Sequence, residues 1–431
     1  MIKKSIGIGL LGLGVVGSGV AEALLSKAES LAEQVGTSLV LRKALVRDVD
    51  KKRTVKLKPR LLTRNPEEVF ANPEVDIVIE VIGAEHPAFE YITQAITHNK
   101  NVVTANKEVI AKHGAGLFSL AKEHNVDLRY EASVGSGIPL IAPFQRDLAA
   151  NDISAIYGIL NGTTNYILTR MSQEDQDFST ALKQAQKLGY AEPDPTNDIE
   201  GIDAAYKLAI LSSLAFHTTV NPQDIYCEGI SRIQAQDFRY AKELGYTIKL
   251  LAIAKKADET IEARVHPVFI PEDTQLAKVD GVYNAILVEG DLVGNLMLYG
   301  QGAGASRASS AIMADVLVIA KNIYHGVSNI PELRSVPELS IKPMSDIKTR
   351  YYFRLDVVDR PGVLAQISKV LGDNSISIST VIQKETYKAT QTAIIVIMTH
   401  PAEGRAVQQA IEEINQLGVV NEVSNFIRVE G

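Results

Sequence analysis

Residues 6–17 run Ile6-Gly7-Ile8-Gly9-Leu10-Leu11-Gly12-Leu13-Gly14-Val15-Val16-Gly17. The first six form a short apolar run of the kind that makes a buried strand, and 17–27 carry apolar residues at helical spacing. Between them Gly12, Gly14 and Gly17 spell Gly-x-Gly-x-x-Gly. In a strand–turn–helix setting each glycine has a task. Gly12 permits the tight turn, Gly14 lets the backbone approach a pyrophosphate, and Gly17 lets the helix pack close to the strand. The pyrophosphate would sit on the helix N-terminus, with Leu13, Val15 and Val16 around it. Glycines that serve packing alone are the alternative.

Outward from this motif, short apolar runs alternate with helical patterns. A strand is expected at 39–46, then strands at 75–81, 101–104 and 127–130, with helices near 89–98 and 117–125. This alternation means a parallel sheet wound on both faces, an α/β domain of Rossmann type over 1–131. A helix at 305–328 is expected to return and pack on it. A middle α+β domain follows at 132–304, with alternating runs at 264–270, 282–289 and 294–299. Residues 329–350, with Pro331, Pro337 and Pro343, read as a linker. From 351 the pattern is βαββαβ, a small, separate ferredoxin-like domain over 351–431.

The end of the second strand bears on the nicotinamide cofactor, because an acid there favours NAD and an arginine accommodates the 2′-phosphate of NADP. It reads Leu45-Val46-Arg47-Asp48, and seven basic residues fall between Arg47 and Arg60. That favours NADP through Arg47; Asp48 leaves NAD open, and a merely solvated basic loop is the other reading.

The segment 188–211 carries the chemistry. Glu192 lies on a loop stiffened by Pro193 and Pro195, suited to a substrate ammonium. Asp203 and Lys207 stand at i and i+4, a spacing usually seen in surface ion pairs. Here the surrounding helix is apolar nearly all round, so it is buried and its two charges face a cleft. A buried lysine has a tunable pKa, a fit setting for a proton donor beside a carbonyl. Asp198 reads equally as helix N-cap or functional acid. Lys107 follows the strand end in Thr104-Ala-Asn-Lys107, where doubly wound sheets place ligands. His86, His113, His217 and His266 have no metal-ligand spacing and read as structural.

The chain has 431 residues, 46% hydrophobic and 22% charged, which excludes a disordered or fibrous protein. A net charge of −7 argues against nucleic-acid and anionic-membrane partners. No run is long enough for a membrane helix, and glycines interrupt the apolar start, so no signal peptide is expected. A single cysteine, Cys227, fits a reducing cytoplasm.

Six ordered motifs, at 12–17, 104–107, 130–139, 158–167, 188–208 and 299–305, make the chain resemble bacterial homoserine dehydrogenases of the monofunctional type over nearly its full length. Position 301 is Gln, where relatives commonly have Pro. The resemblance implies reduction of L-aspartate 4-semialdehyde to L-homoserine with NADPH or NADH. It implies Lys207 as proton donor, and Glu192 and Asp203 as substrate holders with Asn161, Gly162 and Thr163. It places Lys107 beside nicotinamide and substrate, and Thr104 and Gly304 at the cofactor. It also implies a structural sodium ion held by Glu131 and backbone oxygens of Val134, Ser136 and Ile138, in a homodimer or homotetramer. Another amino-acid dehydrogenase on this fold, or a sensor without turnover, are the alternatives.

Asp359-Arg-Pro-Gly362-Val363 and the βαββαβ order resemble the ACT regulatory domain. This implies an amino-acid effector, with L-threonine expected from pathway logic, at Asp359, Gly362, Val363 and Asn374. A dimerisation role without ligand is the alternative.

Overall fold

The computed structural model describes residues 3–327, 339–387 and 389–431. It divides into two compact units, one drawn from Met1–Ile153, Tyr206–Pro222 and Val288–Glu338, the other from Ser154–Ala205, Gln223–Leu287 and Leu339–Gly431.

The first unit is built on six strands: β1 (Ser5–Leu11), β2 (Ser38–Leu45), β3 (Leu62–Thr63), β4 (Ile77–Glu80), β5 (Asn101–Thr104) and β6 (Leu128–Arg129). They pair in parallel in the order β3-β2-β1-β4-β5-β6. The near-continuous apolar runs of β1 and β4 follow from this, because a parallel sheet wound on both sides buries both faces. The order reverses between β1 and β4, and the crevice at their carboxyl ends is where such a sheet receives a ligand. Helix α1 (Val15–Ser26) packs on one face. Residues Ile312, Val316, Ile319 and Ala320 of the helix Ala305–His325 join the same core as Ile6, Ile8 and Val20. The helix expected at 117–125 is in fact the long Lys107–Glu123, whose start the sequence reading passed over.

In the second unit one mixed sheet runs from Ile153–Ile159 through Tyr246–Ala257, Thr260–Pro271, Val420–Val429, Lys348–Val358 and Thr392–Thr399 to Ile378–Tyr387. Its last four strands, with helices Val363–Asp373 and Gly404–Asn415 on one face, form the antiparallel ferredoxin-like module with its own apolar core. The module is not separate, however. Its final strand pairs in parallel with Thr260–Pro271 at Val268↔Arg428 and Phe269↔Val429, so the two sheets are one. Part of the expected linker, 329–338, lies outside the described residues. Its remainder is structured: Ser340–Ile341 pairs with Thr260 and Ile261, and the strand expected from 351 begins at Lys348. Proline content and charge misled here, because pairing with a strand some 80 residues earlier leaves no local pattern.

A buried polar cluster joins the module to the helix Ala235–Glu243. Asp237, fully buried, accepts from Arg354 Nε at 2.7 Å, Asn425 Nδ2 at 2.8 Å and the Tyr352 hydroxyl at 3.1 Å. The backbone N–H of Gln234 adds a fourth donor at 2.9 Å. Close by, the Phe269 and Tyr352 rings stack at 4.4 Å. Removing one partner of a buried ion pair leaves the other charge uncompensated. Asp237→Ala is therefore expected to cost about 3–5 kcal/mol, read as a lower urea midpoint, while Asp237→Asn, which keeps the acceptor oxygen, costs less.

Candidate active site

At the end of β1 the chain turns through Gly12, whose φ is +97°, and the Gly12 N–H donates to the Leu45 carbonyl of β2 at 3.0 Å. Gly17 lies against that turn so closely that a Cβ there would stand 2.1 Å from the Gly12 oxygen. At Gly14, by contrast, a Cβ would meet nothing within 4 Å. Gly14 is the N-cap of α1 and supplies no side-chain acceptor, and Val15 beside it is 77% exposed. The result is an open helix N-terminus with donors for an anion. The helix Ala305–His325 begins next to it: a Cβ at Gly19 of α1 would be 3.5 Å from the Ala305 carbonyl. Its N-cap, Gly304, has φ +125° and no capping side chain either.

Beside the glycine turn is a cavity of about 600 Å3 bounded by Leu13, Val49, Val55 and the basic residues Lys51, Arg53 and Lys56. Arg47, the expected phosphate reader, stands exposed just past β2 and does not line it. Farther along the same loop, Lys51, Arg53 and Lys56 do line it. Arg53 is held in place by donating to the Lys51 carbonyl at 2.8 Å and to the Asp48 carbonyl. An open glycine turn against an apolar and basic cavity fits a dinucleotide.

Across the switch point, Thr104 is buried at the end of β5. Its hydroxyl donates to Glu80 Oε2 at 2.6 Å and accepts from the Asn106 N–H at 3.0 Å. The hydroxyl of Thr104, a residue expected at the cofactor, is thus held by Glu80, a buried acid the sequence reading missed. Its one signal was a carboxylate closing the apolar run Ile77-Val78-Ile79-Glu80. Asn106 caps the helix Lys107–Glu123 by accepting from the Val109 N–H, and this sets Lys107 at the first helical position. One turn further, Lys112 bridges Glu85 at 2.6 Å and Glu108 at 2.7 Å. Lys112 and then His113 hold the Glu85 carboxyl down at about 2. Lys112 also lies over the Tyr206 ring at 5.5 Å, so the helix that opens with Lys107 touches the helix that carries Lys207.

Asp203 and Lys207 sit one turn apart on the helix Ile202–Ala215, 4% and 9% exposed. Their burial is as the helix's apolar composition requires. Asn161 caps the helix Gly162–Glu174, its Oδ1 accepting from the Thr164 N–H at 2.9 Å. Its Nδ2 donates both to Asp198 Oδ1 at 2.7 Å and to Asp203 Oδ2 at 2.9 Å. Two carboxylates on a single nitrogen repel each other and make a place for a cation. Asp198 lies in the short turn Thr196–Ile199, four residues ahead of the helix start, so it is not the N-cap of that helix. The Thr163 hydroxyl is bound to the Tyr190 carbonyl at 2.7 Å. Gly162 packs tightly, since a Cβ would be 2.8 Å from the Val282 carbonyl. Glu192 is exposed on its proline-flanked loop.

The Glu131 carboxylate accepts from the backbone N–H groups of Leu140 at 2.6 Å, Ile141 at 2.9 Å and Ala142 at 2.8 Å. Three of its roughly four acceptor positions are thus filled by peptide donors. Nearby, Ser136 has φ +53° and its buried hydroxyl has no partner. Val134 and Ile138 are buried on either side of it. One remaining carboxylate lone pair and an orphaned hydroxyl suit a weakly demanding cation such as sodium.

In the C-terminal module, Gly362 has φ +90° and caps Val363–Asp373 without a side-chain acceptor. Asp359 and Gly362 are exposed and Val363 is buried. Asn374 closes the other end of this helix, its amide given to the Val370 carbonyl at 3.0 Å and to Glu413 at 3.1 Å. Eleven residues at about 1.5 Å each put the two ends about 16 Å apart. Within one chain they are not one site.

Comparison with known proteins agrees with this geometry. A family model described as homoserine dehydrogenase matches residues 139–317, and one described as its NAD binding domain matches 12–131. An ACT domain model matches 351–419. A homoserine dehydrogenase of Neisseria gonorrhoeae is 42% identical over 433 residues, covering 99% of each chain. The chain belongs to the homoserine dehydrogenase family. The homoserine dehydrogenase of Bacillus subtilis is 39% identical, again over 99% of each chain. The crystal structure of a homoserine dehydrogenase from Thiobacillus denitrificans superposes with a TM-score of 0.92 at 44% identity, covering 99% of this chain and 98% of that one. A hyperthermophilic archaeal homoserine dehydrogenase solved in complex with NADPH has a TM-score of 0.62 at 26% identity, over 76% of this chain and 99% of that one. The activity is that of homoserine dehydrogenase, EC 1.1.1.3, and the chain carries the NAD-binding Rossmann and ACT domains of such enzymes. Among the described residues no helix is long and apolar enough to cross a membrane.

Gly17→Val places side-chain atoms against the Gly12 carbonyl and is expected to weaken NADPH binding by tenfold or more, about 1.4 kcal/mol at the least. A fluorescence titration of NADPH reads this directly.

Proposed function

We propose that this homoserine dehydrogenase works with NADPH in preference to NADH, that Lys207 is its proton donor, and that L-threonine acting at the ACT domain restrains it. The observation that carries the catalytic part is the Asn161 amide joined to both Asp198 and Asp203, one turn from the buried Lys207.

The bound nicotinamide supplies the hydride. Lys207, buried one turn from Asp203, holds a proton ready for the oxygen of the semialdehyde, and takes it back in the direction of homoserine oxidation. Asp203 and Asp198 attract the substrate ammonium, and Asp203, one turn away on the same helix, orients the lysine. Asn161, Gly162, Thr163 and Glu192 complete the substrate side. Lys107, at its helix start, steadies the aldehyde near the nicotinamide. Gly12 to Gly17 and Gly304 receive the pyrophosphate. Lys51, Arg53 and Lys56 supply the charge that a 2′-phosphate needs, and their cavity supports NADPH better than Arg47 does. A sodium ion at Glu131, Val134, Ser136 and Ile138 would be structural.

The ACT reading rests on the exposed, uncapped turn at Gly362, whose free N–H groups suit an amino-acid carboxylate. Because Asn374 stands at the far end of that helix, Asp359, Gly362 and Val363 of one copy would share a ligand with Asn374 of another. That favours a homodimer or homotetramer. The single cysteine and the substrate chemistry favour the cytoplasm.

Lys207→Ala is expected to lower kcat for semialdehyde reduction by about 10²–10⁴-fold, the range for loss of a proton donor, with NADPH affinity kept. Absorbance at 340 nm and a binding titration check both halves; undiminished turnover overturns the assignment. Arg53→Ala should raise KM for NADPH roughly tenfold while leaving KM for NADH nearly unmoved, as loss of one charge-assisted phosphate contact implies. Equal effects on both cofactors would return the cavity to the adenosine alone.

A further inference from the structure

Glu80 ends β4, the strand that pairs with β1 across the switch point, and it is fully buried. Its Oε1 accepts from the Ile82 N–H at 2.6 Å and its Oε2 from the Thr104 hydroxyl at 2.6 Å. The Gly83 N–H is a further donor, while burial pushes the carboxyl above its usual range. All three of these partners donate, so they call for a group that accepts. The Thr104 oxygen is occupied in turn by the Asn106 N–H at 3.0 Å. The Asn106 side chain donates to the Ala84 carbonyl at 2.8 Å and caps the helix that starts at Lys107. One carboxylate thus ties the loop after β4 to the loop after β5 and orders the residue immediately before Lys107.

We infer that Glu80 is a positioning residue for the reaction, acting on Lys107 through Thr104 and Asn106. This rests on the reading of Lys107 as part of the reaction site. The chemical demand is specific. A glutamine at 80 has the right shape and the wrong donors. With its NH₂ toward Thr104 it competes with the Asn106 N–H for one hydroxyl oxygen and strands the hydroxyl proton. Turned over, it sets NH₂ against the Ile82 and Gly83 N–H groups. Either way the joint between the loops loosens, and Lys107 loses its fixed start.

The test is a cycle of Glu80→Gln, Lys107→Ala and the double variant in the intact enzyme, followed by NADPH-driven reduction of aspartate semialdehyde and by NADPH titration. Glu80→Gln is expected to lower kcat about tenfold, with NADPH affinity changed less than about threefold. In the Lys107→Ala background the same change should have almost no further effect, because residues acting through one another are not additive. Thr104→Val, which keeps the Glu80 carboxylate and its amide donors, should lower kcat in the same way and carries the test if Glu80→Gln does not fold. Multiplying effects in the double variant, or a Glu80→Gln enzyme as fast as wild type while Lys107→Ala is slow, would overturn the inference. A Lys107→Ala enzyme with full activity would instead overturn the reading of Lys107, and this inference with it.

Discussion

The constraint on which the site depends is the burial of charge on a helix that is otherwise apolar. Asp203 and Lys207 are taken out of water on Ile202–Ala215. Burying an ion without partners costs several kcal/mol, so its neighbours must supply compensation. Asn161 does so for Asp203 with one amide nitrogen, and in the same act draws in Asp198. Because Asn161 also caps the helix Gly162–Glu174, it cannot shift without uncapping a helix and exposing two carboxylates to each other. Local stability and the placement of chemistry are one arrangement.

The same economy governs the nucleotide side. Two helices start there without capping side chains, at Gly14 and Gly304, and donors that would be a defect elsewhere are left open to an anion. Behind them, Glu80 and Thr104 use side-chain hydrogen bonds where the parallel strands have ended and backbone pairing stops. The sheet delivers its strand ends to one edge; buried side chains decide how the loops beyond that edge are held.

The regulatory module is joined to the catalytic sheet more firmly than a linker would join it. Parallel pairing at Arg428 and Val429, the Asp237 cluster, and the Arg428–Glu228 pair at 2.8 Å all cross between them. Glu228 is followed by Gly229, which packs so closely on Glu200 that a Cβ would stand 2.5 Å from its carboxylate. The Ile230 N–H donates to the Ile199 carbonyl in the turn that carries Asp198. A continuous chain of contacts therefore runs from the last strand to the turn that carries Asp198.

What the sequence determined by itself were the features written in local period and spacing. The glycine turn, the parallel α/β alternation, the βαββαβ order and the burial of Asp203 and Lys207 were all legible there, because each depends on residues within a few turns of one another. Tertiary structure alone decided the rest. Lys51, Arg53 and Lys56 line the cavity because a loop's fold-back, and not its distance along the chain, sets which cation reaches it. Glu80 met Thr104 only when β4 and β5 came side by side, and Asp198 met its amide donor only when Asn161 arrived from 37 residues upstream. The module's fusion with the middle sheet rests on backbone pairing between strands some 160 residues apart, and backbone hydrogen bonds carry no side-chain signature that a sequence could show.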